Sequence, residues 1–75
     1  MPFRKLPQHR RLLGEAIRAF RKRADLTQEK LAEMADLNPK YIGEVERGGL
    51  NISVDALVRI AKALKLQVKD LVRDF

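Results

Sequence analysis

The residues of this chain best suited to chemistry are hydrogen-bond donors, acceptors and cations. Thr27, Gln28, Asn38, Lys40, Tyr41, Glu44, Arg47 and Asn51 fall in one stretch. They offer hydroxyl, amide, ammonium and guanidinium groups, with the Glu44 carboxylate as an acceptor. Such a set recognises a partner by hydrogen bonding and charge. It does not break covalent bonds. The one histidine, His9, lies in a basic segment, cysteine is absent, and no glycine-rich phosphate loop precedes a helix. Ser53 and Asp55 read as helix-capping residues, and no cluster of histidines and carboxylates could hold a metal ion. Neither catalysis nor a cofactor is expected.

Charge points the same way. Sixteen Lys and Arg against ten Asp and Glu give a net charge of +6 on 75 residues, which favours polyanions and nucleic acid first among them. Charge alone is a weak sign, because solvated basic faces are common on helical proteins. With 45% hydrophobic residues the chain holds one small domain; a core of that size is marginal unless packing is efficient or a partner adds burial. Without cysteine there are no disulfides and no thiolate metal sites. No apolar run approaches the roughly 20 residues needed to cross a bilayer. The start, MPFRKLPQHRR, leads into no apolar signal core. A cytoplasmic protein with no membrane partner is the simplest reading.

These groups need a scaffold, and the apolar spacing is helical throughout. Leu12, Leu13, Ala16, Ile17 and Phe20 form one stripe of a helix over about Gln8 to Arg23. Gly14 within it costs about 1 kcal/mol relative to Ala, which implies a close packing contact. Thr27 is an N-cap with Glu29 in the first turn that follows. Lys30 stands where a capping box would have Glu or Gln, so this cap is partial. Asn38 caps a third helix, and Pro39 at its first position suits a start and not a stop. That helix runs to about Arg47, and Gly48 and Gly49 end it. Ser53 caps a fourth helix with Leu57, Ile60, Ala61 and Leu64 on one face. A short fifth helix is expected over Val68 to Arg73. No strand alternation, repeat or internal linker is visible, so the class is all-α with five helices.

The stretch TQEKLAEMADLNPKYIGEVERG, Thr27 to Gly48, is then two short helices with a tight joint. Its apolar positions are Leu31, Ala35, Leu37, Ile42 and Val45, with the small Ala32 where the helices come closest. Together with IRAFRKRADLTQEKLA, the later NIS and ALVRIAKALKLQVKDLV, it resembles the Cro and phage-repressor type of helix-turn-helix, the Xre-like family, over nearly the whole chain. The resemblance implies a compact, lambda-repressor-like DNA-binding domain over residues 8–75, with the helix-turn-helix at about 27–47. Three positions depart from the family. Asp36 replaces a frequent Gly at the turn but tolerates a left-handed backbone. Gly43 stands where Ser is common, and Gln67 where a Ser cap is usual, which predicts a loose last helix.

A sequence-specific, double-stranded DNA-binding transcriptional regulator is what the resemblance implies, with the third helix in the major groove. Ile42 and Val45 must face the core, which leaves Pro39, Lys40, Gly43, Glu44 and Arg47 on the outer side. Base contacts are expected from Asn38, Pro39, Lys40 and Glu44: Asn38 and Lys40 can donate to purine acceptors and Glu44 can accept from cytosine. The bland alternative is that Lys40 and Glu44 form a surface pair four residues apart. Phosphate contacts are expected from Thr27, Gln28, Tyr41, Arg47 and Asn51; the lesser alternative for Tyr41 is packing against the second helix with only its hydroxyl wet. The family parallel also implies a structural ion pair between Arg21 and Glu46. By the same parallel, Leu66, Val68, Leu71, Val72 and Phe75 form a homodimer interface, placing two reading helices about 34 Å apart on a palindromic operator. Alternatively, these residues complete the monomer core. Residues 1–7 are expected to be a flexible basic arm, with Arg4 and Lys5 joining Arg10 and Arg11 in the positive field; the alternative is an arm that reaches around the duplex toward a minor groove. No small-molecule effector is evident. The alternative is an antitoxin that binds a toxin partner and represses its own promoter. Phage repressor, restriction-modification controller and antitoxin all remain open, as do repression and activation.

Overall fold

Side-chain oxygens start three of the helices. Thr27 Oγ1 accepts from the Lys30 N–H at 3.0 Å, Asn38 Oδ1 from the Lys40 N–H at 2.8 Å, and Ser53 Oγ from the Ala56 N–H at 3.0 Å. Each satisfies a donor that the first helical turn leaves without an intrahelical partner. The structure is a computed structural model that describes residues 8–75; the arm expected over residues 1–7 lies outside the described residues. In chain order the elements are α1 (Gln8–Arg23), α2 (Gln28–Ala35), α3 (Pro39–Glu46), α4 (Val54–Ala63) and α5 (Val68–Leu71). No strand occurs among the described residues.

The joint between α2 and α3 is made by Asp36 at φ 57° and ψ 49°. In that left-handed conformation the N–H groups of Asp36 and Leu37 turn back to the carbonyls of Glu33 and Ala32, at 3.2 and 2.8 Å. The end of α2 is thereby closed without glycine. Arg59 of α4 donates to the Asp36 carbonyl at 3.1 Å, which fastens the joint to the rest of the fold. After α3 the chain does need glycine. Gly48 has φ +77°, and a Cβ there would lie 3.1 Å from the Arg11 Cα.

α2 packs on both α3 and α4, α1 on α3 and α5, and α4 on α5. The centre is filled by Ile17, Leu31, Ile42, Ile60 and Leu71. Gly14 is where α1 meets α3: an added Cβ would meet the Val45 carbonyl oxygen and lie 2.6 Å from that of Glu46. The two backbones touch, and only hydrogen fits between them.

The structure refines the expected elements. Of the α1 stripe, Leu13 and Ile17 are buried, Ala16 and Phe20 pack half-buried against the core, and Leu12 is half-buried. In α4 and its C-cap, Ile60, Ala61 and Leu64 are buried as expected and Ala56 joins them, while Leu57 is half-buried against the core. α5 ends at Leu71, short of Arg73, because Val72 at φ −111° has left helical geometry. Its start is held without serine: Asp70 Oδ2 accepts the Gln67 N–H at 2.9 Å.

Candidate nucleic-acid interface

Asn38, Pro39 and Lys40 open α3 and are all exposed. Asn38 commits its side-chain oxygen to the cap, so only its NH2 group remains for a partner. Lys40 and Glu44, four residues apart on α3, form no ion pair; the pairs among the described residues are Arg11–Glu15, Arg21–Glu46 and Lys30–Glu33. The Lys40 ammonium is thus left to solvent or to a ligand. Glu44 is half-buried. Tyr41 is also half-buried and packs against the core, so its ring has a structural task whatever its hydroxyl contacts.

Gln28 at the start of α2 and Arg47 just beyond α3 converge over Gly43. A Cβ on Gly43 would lie 3.4 Å from Gln28 Oε1 and 3.5 Å from Arg47 Nη1. Gly43 is therefore buried under these two side chains, not on the outer face where the spacing along α3 placed it. Thr27 precedes Gln28, and its oxygen already accepts a backbone N–H, which leaves the hydroxyl hydrogen to donate elsewhere. Asn51 is exposed in the connection after α3.

Beneath this surface lies a charged network. Arg21 Nε donates to Glu46 Oε2 at 2.6 Å and Arg21 Nη2 to Glu46 Oε1 at 3.0 Å, a two-pronged pair with side chains 10% and 3% exposed. Arg21 Nη1 also donates to the Leu26 carbonyl at 2.8 Å. The hydrogen bond to Glu46 raises the Arg21 pKa; burial opposes that rise, and the charges of Glu46 and Glu29 add to it. The guanidinium is therefore a fixed charge. Gln28 Nε2 joins the network by donating to Glu46 Oε1 at 3.1 Å. Sequence reasoning missed this bond and the Arg59 bond to Asp36. Their partners are 18 and 23 residues apart, and no local pattern connects them.

The proposed contact face near the end of the chain is smaller than its apolar content suggests. Leu71 is 2% exposed and belongs to the core of the protomer, so it is not available to a second copy. Leu66, Val68 and Val72 are half-buried against that core. Phe75 is 59% exposed, with its ring centroid 6.0 Å from that of His9.

Two short helices joined by a tight left-handed turn, the second with its start open to solvent and its inner face on α1 and α2, define a helix-turn-helix protein. The chain belongs to the helix-turn-helix family whose model matches residues 17–71; its members are DNA-binding transcriptional regulators, not enzymes. It is 44% identical over 63 residues to control protein C.BamHI of Bacillus amyloliquefaciens, covering 83% of this chain and 78% of that one. With the immunity repressor of Bacillus phage phi105 it shares 42% over 60 residues, covering 80% of this chain and 42% of the repressor. Among solved structures, the restriction-modification controller protein C.AhdI from Aeromonas hydrophila superposes with a TM-score of 0.85 at 32% identity, over 87% of this chain and 98% of that one. The clp gene regulator ClgR from Corynebacterium glutamicum gives a TM-score of 0.87 at 33% identity, over 96% and 92% of the two chains.

Proposed function

We propose that this chain is a sequence-specific, double-stranded DNA-binding transcriptional regulator that places the start of α3 in the major groove. The observation that carries the reading is the exposed start of α3, where Lys40 stands free of Glu44 beside the remaining amide donors of Asn38. An ammonium there suits the O6 and N7 acceptors of guanine. Thr27, Gln28, Arg47 and Asn51 supply donors for the phosphates on either side, which fix register without reading sequence. Glu44 accepts from cytosine N4 and repels phosphate, so it adds discrimination more than affinity. The likeness to control proteins, over 78% of C.BamHI and 98% of C.AhdI, supports the role of a restriction-modification controller. Such a protein works in the cytoplasm, on the chromosome, as a homodimer on a palindromic site.

Selection of duplexes from a random pool tests the reading. The expected product is a palindrome whose half-sites repeat about one helical turn apart, roughly 10 base pairs. Binding that falls steeply with salt while enriching no sequence would instead make this a nonspecific polyanion binder.

A further inference from the structure

We infer that Glu46 is a positioning residue for DNA binding: the buried Arg21–Glu46 pair orients the Gln28 amide so that it meets a phosphate already aligned. The inference rests on the reading of Gln28 as a phosphate contact. Glu46 Oε1 accepts from both Arg21 Nη2 and Gln28 Nε2, at 3.0 and 3.1 Å. A carboxylate can only accept, so the NH2 end of Gln28 must face it, and the amide has one orientation instead of two. One amide hydrogen is engaged by Glu46, and the other remains for a phosphate oxygen. Arg21 neutralises the carboxylate, so the anion behind Gln28 does not repel the DNA. The same guanidinium holds the Leu26 carbonyl, fixing the backbone just before Thr27 and Gln28. Gln28 is thus held through its side chain by Glu46, while its approach is set through the backbone by Arg21. A free glutamine at this place would have to be ordered at the moment of binding and would lose rotamer freedom there.

The test is a double-mutant cycle read in DNA affinity, on a selected duplex and on a permuted one, with Gln28→Ala, Glu46→Gln and the two combined. Each single change is expected to weaken both duplexes by about 10- to 100-fold, the size of one hydrogen bond to a charged group. The double variant is expected to bind no more weakly than the weaker single one. Losses that multiply would overturn the inference, since a merely structural Glu46 acts independently of Gln28. A second readout needs no variant. Side-chain amide relaxation in the free native protein should show Gln28 rigid while the exposed Gln8 and Gln67 move. A Gln28 amide as mobile as those two would also overturn it. If Glu46→Gln fails to fold, Glu46→Asp keeps the charge and withdraws the carboxylate by one methylene; the relaxation measurement and its cycle with Gln28→Ala then decide. Wild-type protein that binds no duplex removes the DNA-binding reading, and this inference with it; wild-type binding with multiplying losses removes the positioning role alone.

Discussion

Two side chains serve the fold and, in the proposed reading, the DNA interface at once. Asn38 caps α3 with its oxygen and keeps its NH2 free. Glu46 neutralises Arg21 and holds Gln28. Removing one partner of a buried ion pair leaves the other charged and without compensation, which costs more than the pair contributes. Glu46→Ala is therefore expected to destabilise the protein by about 3 to 5 kcal/mol, read as a lower melting temperature. Because the Arg21 pKa is raised, its contribution is fully present below the ordinary arginine range and is lost only as pH rises through the raised value. The drop in melting temperature should accordingly be the same at about pH 7 and about pH 9. An unchanged melt for Glu46→Ala would show the pair to be dispensable.

At the scale of elements, two helical glycines make opposite predictions. Gly14 seats α1 against the carbonyls of Val45 and Glu46, backbone that cannot step aside, so Gly14→Ala must push α1 away from α3. Over-packing of this kind typically costs about 1 to 3 kcal/mol. Gly43 has only the ends of two flexible side chains near it, at ordinary contact distance. Gly43→Ala should stabilise the protein by up to about 1 kcal/mol, because Ala is the better helix former. Chemical denaturation of both variants checks the contrast, and a loss of stability in Gly43→Ala would contradict it. Sequence made some of this legible. The starts of α2, α3 and α4 could be read because Thr27, Asn38 and Ser53 cap a neighbour two or three residues on, and Gly14 in an apolar stripe already implied a close approach. What could not be read was the angle at which finished helices meet. That angle buries Ala56 more deeply than Leu57 and draws Gln28 and Arg47 over Gly43. It also takes Leu71 into the core.

For the whole molecule, the family and fold follow from the chain, while its assembly rests on a narrower face than apolar content suggested. With Leu71 inside the protomer, a homodimer would rest on Phe75 with the half-buried Leu66, Val68 and Val72. Sedimentation at tens of micromolar should show the mass of a dimer, and Phe75→Ser should move it toward the monomer. A wild-type monomer under those conditions would contradict the palindromic arrangement. The net charge of +6 favours attraction to DNA of any sequence; it does not explain choice among sequences, which the proposed function gives to the start of α3. That claim is tested most directly by the affinity of Lys40→Ala for a selected duplex and for a permuted duplex of the same length. The expected result is a loss of about 1 to 3 kcal/mol on the selected site, with preference relaxed at one base position and much less change on the permuted one. Equal losses on the two duplexes would mean that Lys40 contributes charge alone, and that α3 does not read DNA in the way proposed.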